Sequence, residues 1–457
     1  QSMQPVAVGL GGAGQADFVA LTWSDGVYQT ELGLEAGRLH RITETQRQLS
    51  SCPVLFAWDG QRYVFVSDLL GVGGMGYFVE PGVYAPPRPW ENYLLPDGLL
   101  QPREGRYRLK IGEPMEEAAY LDSMRLAAWD LPPGWSMVLD ERMGILGPEP
   151  TGDAVFYREQ RLPGRATDTQ GRDVTAAVTK ADLHAPAVGE LDRRFIGRLM
   201  EPQLLTLEFD APLDRPGASP VLVIDGWVEY PYSQTMFAAW QAAADYRAPT
   251  LQARDAAGRW HTLMEQFGYP AGMPRRMSVP LGKLPAGTDA LRLSTNQEIY
   301  WDRVAVVYSE PLPAAVRHEL PLSDAEVGFS GFALRTTGSQ RQPHYDYDRR
   351  SPLWDTRHIR GHYTDFGRAT ELLAEADDAL AIIGPGEEVH LEFEDDLPQL
   401  QSGWQRHFVL ESRGWAKDMD LYTEHGNTLE PLPDSGRPAA RRDELHERYN
   451  RRYRSGI

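Results

Sequence analysis

A single cysteine, Cys52, stands in 457 residues. That count excludes an intrachain disulfide and any metal site built on several thiolates. Flanked by Ser51 and Pro53, Cys52 reads as a small buried residue before it reads as a nucleophile. Lysine is nearly as scarce. It occurs at Lys110, Lys180, Lys283 and Lys417, so 42 of the 46 basic residues are arginine, which we read as a coding bias and not as an arginine-specific site. The formal net charge of -19 argues against nucleic acid as a partner, because an acidic surface repels phosphate and counterion release needs basic side chains. The same charge favours solubility and leaves divalent cations open. No apolar run approaches the ~18 residues of a membrane-crossing helix, so no transmembrane segment is expected. No signal peptide opens the chain. Gln1-Ser2-Met3 matches the remnant of a protease-cleaved expression tag, which leaves the native start and compartment open.

Catalytic signatures are missing too. There is no G-x-S-x-G, P-loop, H-E-x-x-H or EF-hand pattern. Gly9, Gly11 and Gly14, and again Gly71, Gly73 and Gly76, fit G-x-G-x-x-G. A dinucleotide site also needs a strand before the glycines and a helix after them. The first set runs into a β-type segment and the second into a proline-rich loop, so both are expected to be turns.

What is present points to β structure. With Gly at 43, Pro at 35, Tyr at 20 and Trp at 12, strands joined by turns are favoured over long helices. Hydrophobic residues at 42% suffice for folding without covalent staples. Strands are expected at 18–23, with Asp25-Gly26 as the turn that follows. Residues 54–58 and 62–67 should form a hairpin across Asp59-Gly60, and 106–111 and 119–130 further strands. A second β run lies at 204–209, 221–227, 250–254, 277–281, 291–294 and 300–308, a spacing that suits a sandwich or jelly roll. Later strands are expected at 379–383, 388–393 and 408–410. Helices are expected at 235–246, with Phe237, Trp240 and Ala244 on one face, at 367–378, and in the charged end 437–457.

The length predicts two to four domains. We divide the chain into an opening segment 1–48, a β module 49–146, a loop-rich linker 147–194, a sandwich 195–312, a β module 313–435 and a charged tail 436–457. The expected fold class is therefore mainly β: several β-sandwich or jelly-roll modules with a few short helices.

Several stretches resemble a known family. Val8-Gly9-Leu10-Gly11-Gly12-Ala13-Gly14, leading to Thr22-Trp23-Ser24-Asp25-Gly26, resembles the tail of the ASPIC/UnbV segment that closes FG-GAP propeller proteins of the cartilage-acidic-protein type. Ser51–Gly60, Tyr120-Leu121-Asp122, Gly171-Arg172-Asp173-Val174-Thr175, Tyr300-Trp301-Asp302 and Gly414-Trp415-Ala416-Lys417-Asp418 are similar to the C-terminal extension of large bacterial members. The resemblance implies an extracytoplasmic protein (secreted, periplasmic or cell-surface) that has an N-terminal propeller as partner. It implies no activity. Residues 195–312 also resemble a galactose-binding-like sandwich, on Leu251–Asp255, Gly258-Arg259-Trp260 and Tyr300–Val306.

Two segments carry candidate site residues. Asp225, Trp227, Glu229, Tyr230 and Tyr232, with Arg303, Trp260 and Trp301, suit sugar recognition by ring stacking and planar hydrogen bonds. The competing reading makes Trp227, Trp260 and Trp301 core residues. Asp225 with Glu229, and Asp418 with Asp420, are carboxylate pairs of the kind glycosidases use. The segment 343–366 gathers His344, Asp346, Asp348, Trp354, Asp355, His358, His362, Tyr363 and Asp365. Imidazoles and carboxylates together can hold a divalent cation, calcium or zinc in type, with His344, Asp346, His358 and His362 as ligands. A helix would align His358 with His362, but Gly361 opposes it. The competing reading is a polar surface loop. The expected function is a non-catalytic binding region, with a carbohydrate or a protein as partner. The alternatives are a carbohydrate-active or metal-dependent enzyme and a structural module packed on the propeller.

Overall fold

The computed structural model describes residues 4–23, 28–43, 52–144, 147–351, 357–437 and 439–455. It is mainly β, with 46% strand and 7% helix. Among the described residues no helix is long and apolar enough to cross a membrane. The Asp25-Gly26 turn, Trp354 and Asp355 lie outside the described residues.

Two sandwiches make up the body. In the first, one sheet runs Val316–Leu320, Glu117–Leu131, Gln405–Asp418, Trp90–Leu94, with Ala381–Ile383 also paired to Glu117–Leu131. The facing sheet runs Gly367–Arg368, Leu322–Phe329, Glu387–Glu394, Arg106–Gly112, Val54–Trp58, Tyr63–Asp68. Strict alternation sets the inner face. Tyr107, Leu109 and Ile111 are buried, while Arg106, Arg108 and Lys110 between them reach the surface. They meet Leu121, Leu126, Leu391 and Phe393 in one core. The stretches 49–146 and 313–435, expected as separate modules, are thus joined strand by strand. Alternation reports which face a strand buries but not which strand lies beside it.

The second sandwich is inserted between those halves. Its central strand, Ala290–Ser309, serves two sheets. The early half pairs with Arg198–Glu208 on one side and Thr250–Arg254 on the other. The later half pairs with Ser219–Glu229 and Gln160–Arg161. Leu205, Leu251 and Leu293 face Leu222, Ile224, Met277 and Val306 across the core. The 147–194 stretch contributes Gln160–Arg161 and Arg165–Thr167 as paired strands, and Ala166 and Val178 to this core.

Helices are shorter than expected. Ser233–Gln241 replaces 235–246, because Ala243 turns left-handed (φ 52°) and Ala244 lies past the end. Phe237 stacks flat on Tyr422 at 3.9 Å. Of 367–378 only Thr370–Leu373 is helical, and Gly367–Arg368 is a strand. Ala439–Tyr449 is the helix of the charged end. The opening hairpin, Gln15–Thr22 with Tyr28–Glu35, is a sheet of its own.

Both central strands carry the same irregularity. In Glu117–Leu131 the register slips between Leu121 and Ser123, so Asp122 is an extra residue. In Ala290–Ser309 it slips between Trp301 and Arg303, and Asp302 is the extra one. A bulge reverses the parity of everything beyond it. Ala119 and Leu121 therefore share a core with Met124 and Leu126. Ile299 and Trp301 share one with Val304 and Val306. Opposite each bulge sits a glycine followed by tryptophan. Gly414 faces Leu121 and Trp415 faces Tyr120, while Gly226 faces Trp301 and Trp227 faces Tyr300. A Cβ on either glycine would overlap the carbonyl oxygen of the opposing tyrosine, so only glycine fits there.

Candidate ligand cleft between the sandwiches

Asp225, Trp227 and Glu229 alternate along Ser219–Glu229 and so project from one face of its sheet. Each lies opposite a residue of the central strand. Asp225 meets Arg303, Trp227 meets Tyr300 and Glu229 meets Glu298. This face is the outer one, but it is covered. Trp227 is 1% exposed, stacks on Tyr300 at 5.3 Å, and donates its indole N–H to the Gln340 carbonyl at 2.7 Å. Gln340 lies between Ala333–Thr337 and Pro343–Arg350, a hairpin that reaches over from the first sandwich. Trp227 is therefore not a platform for a sugar ring.

The other candidates of this set disperse. Asp225 accepts from Arg276 Nε at 2.9 Å and Arg303 Nη1 at 3.3 Å. Glu229 is buried beside Glu298, and burial, then that second carboxylate, pushes its pKa up to about 8. Glu298 accepts from Tyr300 at 2.6 Å and from Arg341 at 2.8 Å. Tyr230 lies against Cys52 at 3.4 Å and lines a cavity of about 430 Å³ with Tyr77, Arg88 and Tyr269. Tyr232 is buried just before the helix Ser233–Gln241.

The proposed metal ligands are not brought together. His344 and Asp346 lie on Pro343–Arg350, with His344 edge-on to Phe65. His358 is edge-on to Tyr363. His362 lies in the strand Gly361–Tyr363, beside Tyr453 of Arg452–Arg454. Strand pairing replaces the helix that would have aligned His358 with His362. Among the described residues no group of three or more His, Cys, Asp or Glu side chains is placed to hold a metal ion. The second glycine set forms a one-turn 3-10 segment, Gly71–Gly73, with no α-helix behind it. A side chain at Gly73 would overlap the backbone of Gly414, so close packing and not phosphate explains this glycine.

A polar cleft of about 370 Å³ does form, where the two sandwiches meet. The first contributes Asn92, Tyr93, Asp97 and His407, and the second Asp225, Arg276 and Asp302; Glu141 and Tyr157 come from the connecting segment. Arg275 fixes the junction. It crosses from the second sandwich to Glu91 and to Asp68 (3.6 Å) of the first. Burial raises Asp68 to about 6 even with this cation beside it.

Four carboxylates line the cleft, and each has a partner. Asp97 accepts from His407 Nδ1 at 2.7 Å, a bond that holds Asp97 below its usual pKa. Asp225 has its two arginines. Asp302 accepts the amide N–H groups of Asp182, Leu183 and His184 at 3.1–3.2 Å. Glu141 pairs with Arg88 and accepts from the Asn92 amide at 3.2 Å, and burial lifts it to about 7. Sequence reasoning singled out Asp225 alone of these. Asp97, Arg276 and His407 are far apart in the chain, and no local pattern joins them.

No protein-family model, curated protein or solved structure matches the chain. No such match ties it to the ASPIC/UnbV proteins.

Proposed function

We propose that the chain is a non-catalytic binding region of a secreted or surface multidomain protein, and that its cleft takes a carbohydrate-class ligand. One observation carries the non-catalytic part: Asp97, Glu141, Asp225 and Asp302 are all engaged by protein groups. A carboxylate held by cations and amides is a weaker nucleophile and a poorer general acid than a free one. A binding site, by contrast, benefits from polar groups already held in place. Flat ion pairs such as Asp225–Arg276, with Asn92 and the His407–Asp97 pair, present fixed donors and acceptors of the kind that vicinal hydroxyls match. The secreted or surface placement rests on the family resemblance of the sequence.

A glycan array followed by calorimetry on the intact chain tests this reading. Arg276→Ala and Asp97→Ala should each weaken a glycan hit about tenfold while the fold is kept. An array without hits, or a hit indifferent to both changes, defeats it.

A separate observation favours packing on a further module. Leu32, in the opening hairpin, is 54% exposed. A lone two-stranded sheet is marginal in water, so a neighbouring domain such as a propeller is the natural cover for this face.

A further inference from the structure

The two sandwiches meet over a buried cluster of charge that does not balance. Arg275 of the second sandwich pairs with Glu91 and, at 3.6 Å, with Asp68 of the first. The connecting segment staples them a second time. Its Glu141 carbonyl accepts from the Ser278 amide of the second sandwich at 3.1 Å, while the Glu141 side chain pairs with Arg88 of the first. Three buried carboxylates thus share two guanidinium groups. Among the described residues, Asp68 Oδ2 and Glu91 Oε2 accept no hydrogen bond. Burying a carboxylate oxygen without a donor favours its protonated form.

The remaining neighbours do not restore the balance. Besides Arg275 and Glu91, Asp68 faces Cys52, Tyr93, Tyr230 and Tyr345, and the Ser67 hydroxyl donates to its other oxygen at 3.1 Å. Glu141 faces Arg88, Glu91 and Arg142, but Arg142 is engaged by Asp140 at 2.9 Å. Arg276, near Tyr93, is held by Asp225. Glu117 adds a further carboxylate beside Cys52. Burial, the largest cause in both, raises Asp68 to about 6 and Glu141 to about 7. Glu141 and Arg275 also line the cleft between the sandwiches, so this junction is one of its walls.

We propose that the junction is a proton-held latch, closed most firmly when Asp68, Glu91 and Glu141 carry a proton between them and loosened, with the cleft beside it, when that proton is lost. The latch is independent of what the cleft binds. Opening hydrates the carboxylates and returns them toward ordinary behaviour, so the closed form binds the proton more tightly and opening rises with pH. Cys52, the chain's single cysteine, is buried in this cluster with its Sγ 3.4 Å from the Tyr230 hydroxyl of the second sandwich, and it serves as a built-in reporter.

The test measures maleimide labelling of Cys52 in the intact chain, each rate taken relative to the urea-unfolded chain at the same pH so that thiolate reactivity cancels. Protection should fall about tenfold or more between about pH 5 and 7. Asp68→Asn and Glu141→Gln mimic the protonated form, and the double variant should keep its protection at pH 7. If the double variant does not fold, each single variant should remove part of the fall. Equal protection of the unmodified chain at both pH values overturns the proposal, as does a full fall kept by these variants. A fall abolished by Glu229→Gln alone overturns it too, and places the proton under the 333–350 hairpin. So does protection that tracks the free energy of global unfolding in urea, because the labelling then reports no local opening.

Discussion

The first sandwich sets Arg413-Gly414-Trp415-Ala416-Lys417 against Tyr120-Leu121-Asp122, and the second sets Asp225-Gly226-Trp227-Val228-Glu229 against Tyr300-Trp301-Asp302. These are one device with its charges reversed. In both, glycine makes room for the opposing tyrosine carbonyl, tryptophan packs on that tyrosine's strand, and a buried aspartate in the bulge collects backbone N–H groups from a crossing segment. Asp122 accepts from Asp377 and Asp378 at 3.0 and 2.8 Å. Asp302 does the same for the segment at 182–184. The charged positions around tryptophan are free to change sign because each answers only to its own surroundings. The contrast teaches that Asp225, Trp227 and Glu229 owe their pattern first to the bulge, and that the bulge lets the core position take either Leu121 or Trp301.

The sharpest way to break the comparison is at the two aspartates. Asp122 also pairs with Arg413 at 2.8 Å, so Asp122→Ala strands a largely buried guanidinium as well as two amides. A loss of about 3–5 kcal/mol is expected. Asp302 holds amides alone, and Asp302→Ala should cost about 1–3 kcal/mol. Thermal or urea denaturation of the two variants checks the order. Equal losses would mean that the Arg413 pair adds nothing.

The glycines test the shared part. Gly414→Ala and Gly226→Ala should each cost about 1–3 kcal/mol, because a new methyl is forced into a packed carbonyl. The two losses should agree to within about 1 kcal/mol if the geometry is truly common. A tolerated substitution at either position would show that its bulge can shift and that the likeness is superficial.

Much of this was legible from the chain. The Asp59-Gly60 hairpin, the alternation at 106–111 and the strands of the second run follow from local periodicity, and they are present. The pairing of 49–146 with 313–435 was not legible, because nothing local marks the partner of a strand. The site was legible only in part. Asp225 stood out among its aromatic neighbours, but Asp97, Arg276 and His407 converge only in three dimensions. Parity misled as well. Read without a bulge, Trp301 and Val304 fall on opposite faces, yet Asp302 puts both in one core. The repeated charged-Gly-Trp pattern was the signal that could have located both bulges.

The pH-dependent part of the comparison concerns the position two residues after each tryptophan, where Glu229 and Lys417 stand. Burial moves both toward the same value, Glu229 up to about 8 and Lys417 down to about 8. Their consequences for stability are opposite in sign. Between about pH 4.5 and 8 the folded chain keeps a proton on Glu229 that the unfolded chain has lost, so stability falls as pH rises, by at most about 1.4 kcal/mol per pH unit. Glu229→Gln mimics the protonated form and should flatten that slope, with little change near pH 5. Lys417 donates to the Thr428 and Leu429 carbonyls, each at 3.0 Å. Between about pH 8 and 10.5 it is the unfolded chain that holds the extra proton, so this group makes stability rise with pH. Lys417→Met should remove the rise, and it should cost stability at every pH because the carbonyls lose their donor. Urea midpoints from pH 5 to 10 separate the two. If Glu229→Gln kept the full slope below pH 8, buried Glu229 would not be its source, and the burial that distinguishes this face from an open binding surface would have to be reconsidered.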